Sequence, residues 1–169
     1  MFKKEIIAAF LFGIVITAFA NHLITSKEKV FKMKRVIGVG GIFFKCKDPD
    51  LIKTWYKNHL GLDTDQYGTT FETRQSDHPD KKSFTQWSPF KDSTRYFEPS
   101  TKEFMFNYRV ENLTWLLEEL KKEGVTILDS METFEYGRFA HILDPEGNKI
   151  ELWEAYDEEY EKIVGGLTK

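Results

Sequence analysis

Residues 36–62 and 104–125 of this chain carry one pattern twice, about 63 residues apart. In the first copy, apolar residues at Val36, Ile37, Val39 and Ile42-Phe43-Phe44 read as a strand that stops at Asp48-Pro49-Asp50. An Asp before a Pro is a strong helix start, with Asp48 as N-cap and Pro49 in the first helical position. The helix that follows puts Leu51, Ile52, Trp55 and Leu60 on one side and ends at Gly61. In the second copy, Phe104–Val110 reads as a strand, and Asn112 caps a helix with Leu113, Leu116, Leu117 and Leu120 at i, i+3, i+4, i+7 spacing before Gly124. Further strands are expected at Thr69–Thr73 and Ser83–Trp87 in the first half, and at Val125–Leu128, Arg138–Leu143 and Lys149–Trp153 in the second. Each half is therefore read as a β-α-β-β-β unit, with two of the three closing strands placed in the first half and all three in the second, and with Ser88–Lys102 as the connector. Neither half can bury its sheet face alone, so the two are expected to build one domain.

The pattern begins only after a stretch of different material. Met1–Glu5 carries two lysines, and Ile6–Ala20 runs fifteen residues without a charge to end in Ala18-Phe19-Ala20. That is the plan of a secretory signal peptide cleaved near Ala20, which would make the protein exported or periplasmic. Two alternatives stay open: a retained membrane anchor, or translation from Met33 and a cytoplasmic protein. The expected division is a leader and linker over 1–32, the domain over 33–155, and an acidic surface tail over 156–169. With 41% hydrophobic and 30% charged residues the body can bury a core, which excludes a disordered chain. A net charge of −3 without a basic stripe argues against nucleic acid as partner, and membrane contact is expected only through the N-terminal segment. The single cysteine, Cys46, excludes an intramolecular disulfide and a multi-cysteine zinc site. It reads as a packed thiol.

Asp144-Pro145-Glu146-Gly147-Asn148 sets the register of the last hairpin. Pro145 suits the first central position of a type I turn, and Gly147 the left-handed residue that completes a three-residue loop. If Asp144 opposes Asn148, His141 lies directly across from Glu151. Ala140, Ile142, Ile150 and Leu152 then form an apolar face for a helix. Phe139, His141, Lys149, Glu151 and Trp153 form the other face, which is either solvated or lines a cavity. In a cavity, Glu151 could act as a base or hold an imidazolium, with His141 titrating near neutral pH.

The paired units, Asp48-Pro49, Trp55-Tyr56, Leu60-Gly61-Leu62, Tyr136-Gly137-Arg138-Phe139 and above all the run from Asp144 to Glu154 resemble the vicinal oxygen chelate superfamily. That group includes glyoxalase I, fosfomycin and bleomycin resistance proteins and extradiol dioxygenases. The resemblance covers about Val36–Glu154. It implies an α+β fold, in which two βαβββ modules form a curved mixed sheet around a cavity, and a homodimer. It also implies one divalent metal on the inner face of the sheet. Mapped onto this chain, the final carboxylate ligand is Glu151. The other ligand positions fall at Gly41 or Ile42, at Met105 or Phe104, and near Gln86 or Trp87. Of these only Glu151 is a good hard-metal ligand. No tightly bound metal or other cofactor is expected, a weakly bound divalent ion at Glu151 staying open.

Alternation from Met105 puts Asn107 and Arg109 on the cavity face and sends Phe104, Phe106, Tyr108 and Val110 towards helices; Arg109 reads equally as a strand-end surface charge. The expected function is binding of a small polar or aromatic molecule by Gln86, Trp87, Asn107, Arg109, Tyr136, Phe139 and Trp153. The alternative is a glyoxalase-type lyase or isomerase using Glu151, with His141, as acid/base or as a metal ligand.

Overall fold

A computed structural model describes residues 33–164. The expectations for a signal peptide, anchor or linker fall on residues outside these. The described chain forms eight strands: β1 (Val36–Cys46), β2 (Thr69–Arg74), β3 (Lys82–Lys91), β4 (Phe104–Val110), β5 (Thr126–Ile127), β6 (Glu132–Phe134), β7 (Gly137–Leu143) and β8 (Lys149–Ala155). Three helices accompany them: α1 (Pro49–Leu60), α2 (Leu113–Lys122) and α3 (Asp157–Val164). The strands make one curved mixed sheet in the order β2-β3-β1-β4-β8-β7-β5, with β6 also on β7. This is the α+β architecture expected from the sequence.

Its local causes are those the residue pattern announced. The Asp48 side chain accepts hydrogen bonds from the N–H groups of Asp50 and Leu51 at 3.1 and 3.0 Å, capping α1. Asn112 caps α2 through the Trp115 N–H at 2.9 Å. Gly61 and Gly124, with φ of 70° and 79°, end the two helices in the left-handed region open to glycine. Each helix lies in the longer connection between two parallel neighbours, β1 and β3 or β4 and β8, and the two halves meet where β1 and β4 pair antiparallel.

The halves are less alike than the sequence suggests. The first has three strands and the second five, two of them only two and three residues long. The connector also begins later than expected, because Ser88–Lys91 continues β3 alongside β1. Pro89 is tolerated there because β3 has already run past the end of β2, whose last pair is Thr69 with Trp87.

Helices α1 and α2 lie on one face of the sheet. Leu113 and Leu116 of α2 pack on Val110, Ala140 and Leu152 of the sheet, all five at most 3% exposed. Under α1 the contact is aromatic: Tyr56 packs on Trp87 with ring centroids 4.7 Å apart, and Trp87 packs on Phe44 at 5.3 Å. The expectation that Phe104 and Phe106 are covered by helices is corrected. They share the helix-bearing face with Tyr108, but 40% and 39% of their surfaces stay exposed, between the two helices. Of the tail, the described residues Asp157–Val164 form helix α3, which has no buried residue and lies against the opposite, inner face through Asp157 and Tyr160.

Candidate functional site

Strand register brings five positions into one line across the inner face: Gln86, Gly41, Asn107, Glu151 and His141 are successive cross-strand partners on β3, β1, β4, β8 and β7. The hairpin register inferred from Asp144–Asn148 is the one observed, with His141 opposite Glu151. Asp144 holds its turn by accepting from the N–H groups of Glu146 and Asn148, and Gly147 has φ of 75°. One step along, Arg109, Trp153 and Phe139 form a second line.

Apart from the half-buried Gln86, the polar members of both lines are buried. Asn107, Arg109, Glu151 and His141 are 2%, 3%, 4% and 6% exposed, which settles that Arg109 is no surface charge and that the His–Glu pair is not solvated. Burying such groups is costly unless they are bonded: Asn107, Glu151 and His141 bond one another, and Arg109 pairs with Asp157. The His141 Nε2 lies 3.0 Å from Glu151 Oε2, and its Nδ1 lies 2.6 Å from Asp129 Oδ2. Asp129 also accepts the backbone N–H of His141 at 2.8 Å, which fixes the ring's position. Asn107 Nδ2 donates to Glu151 Oε1 at 2.6 Å, and the Tyr96 hydroxyl donates to Glu151 Oε2. Burial pulls the imidazole towards its neutral form, but the Glu151 bond and charge, with Asp129 behind, outweigh it, so the His141 pKa is raised. Burial first, and then the Glu151 charge, push the Tyr96 phenol well up, which keeps it a hydrogen-bond donor. Lys149 is lowered by burial; its ammonium donates to the Tyr96 carbonyl at 2.7 Å and lies 4.9 Å from the centre of the Tyr96 ring.

Around this core stand aromatic walls. Trp153 stacks on Phe139 at 5.7 Å and 11°, and its indole N–H donates to the Tyr136 carbonyl at 3.2 Å. The Arg109 guanidinium lies over the Trp153 ring at 5.0 Å. Gly40, in a β1 bulge, leaves the room these groups need: a Cβ there would meet Asn107 Oδ1, Trp153 and Arg109 at 2.1 to 3.0 Å.

Of the residues read from the sequence, the structure brings Glu151, His141, Gln86, Asn107, Arg109, Tyr136, Phe139 and Trp153 to this face. Trp87 is not among them. Adjacent residues of a strand point to opposite faces, and with Gln86 paired to Gly41 on the inner side, Trp87 goes under α1. Four contributors were missed: Asp129, Tyr96, Asp157 and Tyr160. Their signals were an acid closely following the short β5, an aromatic pair (Tyr96-Phe97) inside a polar connector, and tyrosines four apart (Tyr156, Tyr160) in an acidic run.

The divalent metal implied by the resemblance can be tested against these donors. The line offers one carboxylate, the His141 imidazole with both ring nitrogens already engaged by Asp129 and Glu151, the amides of Gln86 and Asn107, and no side chain at Gly41. The β4 member is Asn107, not Met105 or Phe104. Both Glu151 oxygens already accept hydrogen bonds, and Gln86 Oε1 accepts from Thr70 at 2.6 Å and from Tyr160 at 3.1 Å. Among the described residues, no group of three or more His, Cys, Asp or Glu side chains is placed to hold a metal ion. This donor set does not fit a tightly held divalent ion.

A family model described as Glyoxalase/Bleomycin resistance protein/Dioxygenase superfamily matches residues 38–152. Among solved structures, methylmalonyl-CoA epimerase from Mycobacterium tuberculosis is 18% identical over 77% of this chain and 95% of its own, with a TM-score of 0.51. A Streptomyces coelicolor methylmalonyl-CoA epimerase variant in complex with 2-nitronate-propionyl-CoA is 13% identical over 72% and 99%, at 0.53. A glyoxalase/bleomycin resistance protein/dioxygenase superfamily member from Vibrio splendidus 12B01 is 12% identical over 69% and 97%, at 0.45. At such identities the likeness is one of fold. None of the curated proteins is significantly similar to this chain in sequence.

Proposed function

The chain belongs to the Glyoxalase/Bleomycin resistance protein/Dioxygenase superfamily, and from that premise we propose that it binds a small polar or aromatic molecule on the inner face of its sheet. The observation that carries this reading is the buried polar line of Asn107, Glu151 and His141, set beside Arg109 and walled by Trp153 and Phe139. Such a face gives a ligand flat apolar area and a few fixed polar partners. Binding proceeds without a tightly held metal, because the only hard ligand in the line is already engaged by Asn107, Tyr96 and His141. A screen for ligand-induced rises in Tm, with chelator and with divalent metals, tests it. Stabilisation that is independent of metal and lost in Trp153→Leu supports the reading. Stoichiometric Ni, Zn, Fe or Mn that disappears in Glu151→Gln overturns it.

A second reading, a glyoxalase-type lyase or isomerase, rests on the linked Asp129, His141, Glu151 and Tyr96. In it, Glu151 is the base that takes a proton from a bound carbon acid. His141, held towards its imidazolium form between two carboxylates, gives a proton from Nε2 to the resulting carbanion and regains one from Glu151, and the protonated Tyr96 hydroxyl steadies the carboxylate. Turnover abolished by Glu151→Gln, with ligand binding kept, would favour it over simple binding. The same proposal includes export through the N-terminal segment and a homodimer. An N-terminus at Met33 by mass spectrometry removes the first, and a monomer in light scattering removes the second.

A further inference from the structure

The inner face carries an occupant from its own chain. Helix α3 starts two residues after β8 ends, and no residue in it is fully buried. Only two of its side chains reach the second line of the site. The Tyr160 ring packs edge-on against Trp153 at 5.0 Å and against Phe84 at 5.4 Å. Its hydroxyl donates to Gln86 Oε1 at 3.1 Å and lies 3.4 Å from Thr70 Oγ1. One turn earlier, the Asp157 carboxylate takes the Arg109 guanidinium at 2.6 and 2.8 Å. A carboxylate, an aromatic ring and a ring hydroxyl are thus presented to Arg109, Trp153 and Gln86.

The match is incomplete at one point. Both Asp157 oxygens bond the same nitrogen of Arg109, Nη2. The other, Nη1, is buried and has no hydrogen-bond partner among the described residues. A guanidinium takes a carboxylate best with one oxygen on each of two nitrogens, and a buried donor left alone is a standing cost. Asp157, on α3, does not supply that geometry. A free carboxylate on the inner face can. The remaining contacts of α3 with the β2–β3 hairpin are polar: Gln75 to Asp157 at 3.1 Å and Lys82 to Glu161. They run beside an open cleft of about 650 Å³ lined by Arg74, Gln75, Lys82 and Asp157 among others. Ion pairs at such a rim contribute little to holding a helix in place.

Resting on the binding function proposed above, we propose that the site's ligand is an aryl carboxylate, and that α3 is a tethered stand-in which this ligand displaces. The ligand carboxylate spans Nη1 and Nη2 of Arg109. Its ring takes the place of Tyr160 against Trp153, and a polar ring substituent meets Gln86 and Thr70. Departure of α3 costs the ring contacts of Tyr160 with Trp153 and Phe84, its hydroxyl contacts with Gln86 and Thr70, and the imperfect Arg109 ion pair, all of which the ligand replaces, and the rim contacts of Gln75 and Lys82, which it does not.

Isothermal titration with 3-(4-hydroxyphenyl)propionate, its uncharged amide and tyramine tests this on the full chain and on an Asp157→Ala/Tyr160→Ala double variant. The acid is expected to bind the double variant at least tenfold tighter than the unaltered chain, the amide and tyramine at least tenfold more weakly than the acid, and Arg109→Met is expected to abolish binding of the acid. Hydrogen exchange needs no substitution: in the unaltered chain saturated with the acid, amides 157–164 exchange faster. Equal affinity for the two chains, or α3 amides that become slower, overturns the proposal. If uncharged compounds from the screen bind and the acid does not, the aryl carboxylate falls while the binding face stands. If no compound binds either chain, both readings fall.

Discussion

His141 and Glu151 face each other across the β7–β8 hairpin, Nε2 to Oε2 at 3.0 Å, with Asp129 closing the other side of the imidazole at 2.6 Å. An imidazole between two carboxylates is held towards its charged form, even though burial alone would favour the neutral one.

Stability should depend on pH through this residue. The folded pKa of His141 is raised above its ordinary 6.5, so its contribution is complete below that value and is lost as pH climbs through the raised folded value. Urea denaturation of the chain and of His141→Gln from about pH 5.5 to about 9 measures it. The gap between the two is expected to narrow as pH rises. Parallel curves would show that the charge is not stabilised in the fold.

Glu151→Gln keeps the shape of the side chain and removes its charge. The His141 pKa should fall, since its strongest charged partner is gone and burial then weighs more. Stability near pH 6 should drop by about 1–3 kcal/mol, the usual cost of leaving buried hydrogen-bonding groups mismatched. An NMR titration of the imidazole together with urea denaturation checks both.

Leu113, the first residue of α2, is fully buried against the sheet, whereas Leu51 on α1 is 65% exposed. Leu113→Ala is expected to cost about 2–5 kcal/mol through lost burial and the cavity left behind. Leu51→Ala should stay within about 0.5 kcal/mol. Denaturant midpoints read the contrast directly, and equal losses would mean that α1 and α2 are packed alike.

Gly40→Ala tests the crowding beneath the site. The added methyl would stand 2.1 Å from Asn107 Oδ1 and 2.9 Å from Trp153, so one of them must move. Destabilisation of about 1–3 kcal/mol is expected, together with weaker binding of any ligand found in the screen. An unchanged Tm would place Asn107 elsewhere.

Much of the architecture could be read locally. Asp48, Asn112, Gly61 and Gly124 mark their helices because capping and left-handed backbone depend on a few neighbouring residues. The Asp144–Asn148 turn fixed the His141–Glu151 pair because a tight loop sets its own strand register. Alternation from Met105 put Asn107 and Arg109 on the inner face for the same kind of reason. Gln86 and Trp87 could not be told apart that way, since only the pairing of Gln86 with Gly41, on a strand 45 residues earlier, selects which of them points inward.

The doubled strand–helix unit, its caps, its last turn and the line of polar residues along β4, β7 and β8 follow from residue pattern. How that line is closed follows from long-range packing alone. Asp129 arrives from the far side of β6, Tyr96 from the connector 55 residues before Glu151, and Tyr160 from a helix 74 residues after Gln86. Local propensity gives no address to such side chains. They are placed by buried charges and aromatic faces that require partners, and those partners come from wherever the folded chain can bring them.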